Sequence, residues 1–187
     1  HAADLLPELV HDIAAVPVRG GRGSFAPRLR ELLATLLGER PQFSLRKLEV
    51  MLLQRTLEWG DGTPYERSAD ALLELAKTPE QRAEAHYYKG IERLEAFQTG
   101  TAAAEAQLAA AREHLATAAA VAAEHPLPSH LHFGILVSSG NAFRHGKHRD
   151  VERALAYYDR AETIGFASQY EEARLCKVRA DALIVRG

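Results

Sequence analysis

VERALAYYDRAETIG, residues 151–165, places Ala154, Tyr158 and Ala161 on one helical stripe, spaced by four and then three. Ala111, Leu115 and Ala118 repeat the spacing one unit earlier, and Ala69, Leu73 and Ala76 repeat it once more. A helix-length segment with a glycine near its middle precedes each of the two later trios, Gly140 before one and Gly90 before the other. A small residue, a large one and a small one on a single stripe let a neighbouring helix approach closely around one bulky knob. Alanine and glycine then keep the seams tight. Repeated helix pairs of this kind predict a stack of helical hairpins, and stacks present binding surfaces.

Outward from that stretch, helical periodicity runs through most of the chain and no segment alternates as a strand. Asp4 caps a first helix over about 5–16, and a loop with Pro17, Gly20, Gly21 and Gly23 follows. Pro27 opens a second helix that Gly38 terminates, and Ser44 a third that ends near Trp59–Gly60. Asp61–Gly62 is a turn, and Thr63, Pro64 and Glu66 spell an N-cap, a first helical residue and a capping box. Thr78–Pro79 starts a fifth helix, a break at Gln98–Thr101 a sixth, and Pro126 and Pro128 precede a seventh over about 129–145. Gly146–Lys147 turns into an eighth helix ending at Gly165. Ser168 and Glu171 form a second capping box for the last, which runs toward Arg186.

Composition sets the outer bounds. The chain has 187 residues, 47% hydrophobic and 26% charged, enough to bury a core and too apolar for compositional disorder. A net charge of −2 supplies no global attraction for nucleic acid, so no nucleic-acid partner is expected. The single cysteine, Cys176, excludes an internal disulfide framework and fits a reducing, cytoplasmic setting. No apolar run reaches the length of a membrane span. The first residue is not Met, as expected for a cut end.

The short-turned helix pairs and recurring trios resemble tetratricopeptide (TPR) repeats. In that family the first helix of a pair carries a small residue and an aromatic three positions later, as Gly140 and Phe143 do. Gly90 is followed instead by Arg93, and Ala180 with Leu183 is a looser match. The periods also depart: 50 residues from Gly90 to Gly140 and 40 from Gly140 to Ala180, against about 34 in a standard unit. The surplus is assigned to the turns around 98–106 and 145–151 and to the prolines at 126–128. The resemblance implies an all-α, α–α superhelix over residues 43–187, with 1–42 as a degenerate N-terminal helix pair. A helical bundle whose apolar stripes imitate repeats is the alternative.

The resemblance also implies which residues line the concave face. Around Gly140 they are Asn141, Arg144 and His145, with Val137 and Gly134 upstream. Around Ala180 they are Arg174, Lys177, Asp181, Ile184 and Val185, and around Gly90 they are Glu84, Tyr87, Ile91, Leu94 and Glu95. Asn141 stands where peptide-binding relatives hydrogen-bond a ligand backbone. Asn141→Ala is therefore expected to weaken partner binding and leave stability within about 1 kcal/mol. Arg144, Arg174 and Lys177 attract an acidic segment or read as a solvated helix face. Val137 occupies the place of a carboxylate-clamp lysine, so the full clamp is missing.

Other chemistry is thin. The pairs His130/His132 and His145/His148, the latter with Asp150, lack an accompanying Cys or a His-Glu-x-x-His pattern, so no metal is expected. The glycine loop at 18–24 ends in Phe25 and Ala26, not the Lys-Ser or Lys-Thr of a phosphate loop. His86, Tyr87 and Tyr88 fit packing between hairpins better than base stacking. No nucleophile–base order is present, and neither an enzyme nor a cofactor is expected. The expected function is a non-enzymatic module that binds a peptide or helix of a partner protein along a concave helical face. A sensor domain of a larger regulator, enclosing a small ligand or signalling peptide, is one alternative. An assembly element forming a homo-oligomer through the apolar last helix is the other.

Overall fold

The computed structural model describes residues 42–57, 65–100 and 103–186, and every regular element in them is an α-helix. The expected helix pair in 1–42 (its first residues included), the glycine loop, the Trp59–Gly60 end and the Thr63–Pro64 start lie outside the described residues. No helix among the described residues is long and apolar enough to cross a membrane. The chain divides into two compact units, residues 1–77 and 78–187.

In the first unit α1 (Phe43–Leu57) packs on α2 (Tyr65–Leu75). Leu45, Leu48 and Val50 are buried on α1, and Ala69 and Leu72 on α2. The 69/73/76 trio is thus only partly realised, because Leu72 is buried where Leu73 was expected and Leu73 and Ala76 are half-exposed. Residues three and four after Ala69 both lie near its stripe, and spacing alone does not choose between them.

The second unit contains α3 (Pro79–Gln98), α4 (Ala104–Glu124), α5 (Ser129–Arg144), α6 (Val151–Ile164) and α7 (Gln169–Arg186). Local chemistry sets the ends. At α3 the Thr78 hydroxyl accepts from Gln81 N at 3.1 Å while the Gln81 amide oxygen accepts from Thr78 N, so the two satisfy each other's orphan donors. Asp150 caps α6 by accepting from Arg153 N at 2.9 Å. The expected Ser168/Glu171 box is half formed. Ser168 Oγ accepts from Glu171 N, but the Glu171 carboxylate reaches one residue further back, to Ala167 N at 2.7 Å. Around the C-terminus of α5, Arg112 donates to three carbonyls, those of Ala142 in its last turn and of His145 and His148 beyond it, at 3.0, 3.0 and 3.2 Å. A cation there also opposes the negative end of the helix dipole.

Each helix packs on the next in sequence, and α3 also meets α5, as α5 meets α7. Neighbours in sequence are antiparallel: His86 meets His114 and Arg93 meets Gln107 across α3 and α4. The alternate pair α3 and α5 is parallel, with Tyr87 against Gly134 and Phe97 beside His145. Both later trios are completely buried. Leu115 of α4 lies over Gly90, where an added Cβ would stand 2.6 Å from Leu115 Cγ, and Tyr158 of α6 lies over Gly140 in the same way. Each glycine is where the knob of the opposing helix lands. The long first period comes from the helices, not the turns: α3 and α4 have 20 and 21 residues, against 16 and 14 in α5 and α6.

The α3–α4 seam holds an unusual pair, His86 Nδ1 and His114 Nδ1 at 3.0 Å. One ring must donate and the other accept, so the contact requires at least one neutral imidazole. Burial holds both below the ordinary 6.5, and for His114 the neighbouring His86, Lys89 and Arg93 add to it while Glu113 opposes. Protonation is then easier in the unfolded chain than in the folded one. Stability is complete above about pH 6.5 and is lost as pH falls below that value. Melting curves between about pH 7.5 and 5.5 are expected to slope downward on acidification, and the double change His86→Leu with His114→Leu to flatten that slope.

Candidate functional site

The face shared by α5 and α7 gathers most of the residues expected to recognise a partner. Asn141 sits one residue past the glycine on which Tyr158 rests, and its Oδ1 accepts from the Tyr158 hydroxyl at 2.7 Å. Burial pushes the Tyr158 phenol up to about 12, so it remains a donor at any physiological pH. One helical turn on, the half-buried Arg144 reaches across to α7 and pairs with Asp181 at 2.8 Å. Lys177, one turn before Asp181 on α7, holds the same carboxylate oxygen at 2.9 Å. Hydrogen bonds from Lys177 and Arg144 keep the Asp181 carboxyl below the usual aspartate value. Arg174, half-buried on α7, is close enough to act on the Tyr158 hydroxyl through its charge. His145 closes the cluster, its ring beside Phe97 and its basicity lowered by burial and by Arg144.

Five of the seven expected residues therefore meet: Asn141, Arg144, His145, Arg174 and Lys177. Glu84 and Tyr87 do not join them. Glu84 is buried within α3, and the Tyr87 hydroxyl fills the space above Gly134, so Tyr87 and Gly134 form the α3–α5 seam. Val137, Ile91 and Leu94 are buried too. Apolar side chains at these positions go into the core rather than onto an open face.

The geometry changes what two residues do. Asn141 supports the hairpin as well as presenting an amide, so Asn141→Ala strands a buried hydroxyl and costs about 1–3 kcal/mol, more than a surface change would. Arg144 is committed to Asp181. Arg144 and Lys177 hold the Asp181 carboxylate and Arg174 lies near the Tyr158 hydroxyl, so these three cations and one carboxylate carry a net positive charge.

Asp181 is the hub, and only its pairing with Lys177 is legible in the sequence, as a four-residue spacing on one helix. The Arg144–Asp181 and Tyr158–Asn141 contacts join different helices and leave no such trace. Of the residues considered for a metal, His148 contributes its carbonyl to Arg112 and Asp150 its carboxylate to a helix cap. No three His, Cys, Asp or Glu side chains converge on a metal position among the described residues. Cys176 is exposed on α7. The chain matches no protein-family model, no curated protein and no solved structure.

Proposed function

We propose that residues 78–187 form a TPR-like superhelical stack that binds an acidic peptide segment of a partner protein on the face lined by α3, α5 and α7. One observation carries the reading. The alternate helices α3, α5 and α7 approach one another in order, whereas α4, packed on α3 and α5, and α6, packed on α5 and α7, make no close backbone approach to each other among the described residues. A layer whose members are adjacent is the inner arc of a curved stack, and the separated layer is the outer one. The inner arc is where an extended ligand finds the largest continuous surface.

On that arc the Asn141 amide nitrogen supplies two donors while its oxygen is occupied by Tyr158. An extended peptide brings backbone carbonyls that lose water on docking and must be paired again. Arg174 and Lys177 attract acidic side chains, and Lys177, with 74% of its side chain exposed, keeps ready access to solvent.

A displayed library of random peptides provides the test. Selection on the full chain should enrich segments rich in Asp and Glu, and Lys177→Glu should abolish that enrichment while costing no more than about 1 kcal/mol of stability through the lost pair with Asp181. The double change Asn141→Ala with Tyr158→Phe removes donor and acceptor together, which keeps stability within about 1 kcal/mol of the parent. It should weaken the selected peptides roughly tenfold, the equivalent of about 1.4 kcal/mol. Unchanged affinity in both variants would place recognition elsewhere.

A further inference from the structure

The Arg144 guanidinium is deeply placed and sparsely bonded. Its side chain is 12% exposed, against 36% for Asp181 above it. Only Nη1 reaches Asp181, through Oδ2 at 2.8 Å, and the same nitrogen lies 3.5 Å from the Val178 carbonyl, the outer limit of a hydrogen bond. Arg144 Nε is buried and has no hydrogen-bond partner among the described residues. The carboxylate is shared as well, because the oxygen that takes Arg144 also takes Lys177 at 2.9 Å. A guanidinium and a carboxylate hold each other best through two parallel N–H···O bonds, and this pair makes one. A buried donor left unpaired is costly, and a second carboxylate oxygen would remove that cost. The pair also stands beside the Asn141 amide. Arg144 lies one turn on along α5, and the charges of Arg144 and Asp181 both act on the Tyr158 hydroxyl that Asn141 holds.

We propose that Asp181 is a displaceable stand-in for the ligand, an inference that rests on the acidic-peptide groove proposed above. An Asp or Glu side chain of the bound segment takes Arg144 through both of its oxygens, and Asp181 is left with Lys177. Arg144 then trades a one-point contact for a two-point one, and Nε gains the partner it lacks. Asp181 is not stranded by the exchange, because Lys177 is four residues away on the same helix and already holds it. A neutral Asn or Gln side chain cannot make the exchange, since its amide offers one oxygen and no charge. Asp181 thus sets the specificity of the groove: it admits to Arg144 only a group that outcompetes a carboxylate.

The probes are dye-labelled hexaglutamate and hexaglutamine peptides with amidated C-termini, titrated onto the full chain by fluorescence anisotropy. Hexaglutamate should bind saturably and hexaglutamine far more weakly. Asp181→Asn should tighten hexaglutamate about fivefold, the worth of one solvent-accessible ion pair, and leave hexaglutamine unchanged. In the Arg144→Gln background the same change should bring no gain, because competitor and target act as a pair. Asp159→Asn also removes one carboxylate, from the pair with Arg179, and should bring no comparable gain. In the unaltered chain the Arg144 Nε–H resonance should shift with hexaglutamate and stay in place with hexaglutamine. A parent chain that binds both peptides alike sinks the acidic-peptide groove, and the exchange with it. A parent that prefers hexaglutamate, with no gain from Asp181→Asn or the same gain without Arg144, overturns the exchange alone. So does an Arg144 resonance that hexaglutamate leaves unmoved, a measurement that needs no variant to fold.

Discussion

Ala154→Glu is expected to unfold most of the second unit at neutral pH. Ala154 is completely buried in the core that joins α5, α6 and α7, so a carboxylate placed there is stripped of water. Keeping a carboxyl with an ordinary pKa near 4.3 neutral at pH 7 costs about 3.7 kcal/mol. The added volume costs about 1–3 kcal/mol more. Together these approach the stability of a typical small domain, about 5–15 kcal/mol. Folding raises the pKa of this introduced group, so its penalty shrinks as pH falls toward the unfolded-state value. Relative to Ala154→Leu, which adds volume without charge, about 2.7 kcal/mol should return between pH 7 and pH 5. Circular dichroism melts of the two variants at both pH values measure that difference. Equal melting of Ala154→Glu and the parent would disprove the seam.

Gly140→Ala should destabilise despite better helix propensity. In an exposed helix the change gains about 0.8–1 kcal/mol. Here the new Cβ stands against the Tyr158 ring, a side chain held from below by the trio and at its tip by Asn141. Overpacking of this kind costs roughly 1–3 kcal/mol or more, and propensity offsets only part of it. The sign should reverse when the knob is removed. Tyr158→Ala alone costs about 3–5 kcal/mol, as for other large aromatics. Adding Gly140→Ala to it should restore some stability, because the methyl then meets open space. A double-mutant cycle measured by chemical denaturation reads the coupling directly. Additive effects would mean that Gly140 and Tyr158 do not touch.

The two predictions rest on residues of different legibility. Ala154, Tyr158 and Ala161 declare themselves by spacing, because burial on a helix recurs every three or four residues whatever lies opposite. The same rule left the α2 stripe open between Leu72 and Leu73. The residues expected to recognise a partner could be read as positions on helices, not as a set of contacts. Asn141 and Arg144 look alike as exposed polar residues beside a glycine. In the fold one supports a buried tyrosine and the other is clamped by an aspartate on a different helix.

What the residue order determined alone was local: the helices, the start at Thr78, and the small residues at Gly90 and Gly140 on their helices. Those depend on contacts within a turn or two of helix, where the backbone geometry is known before any packing occurs. Only the tertiary structure decided that His86 meets His114, that Arg112 ties down the end of α5, and that Asp181 gathers Arg144 and Lys177. Such contacts depend on how far each helix is rotated about its own axis against its neighbours. That rotation is set by the whole core at once, through the volume each buried knob needs.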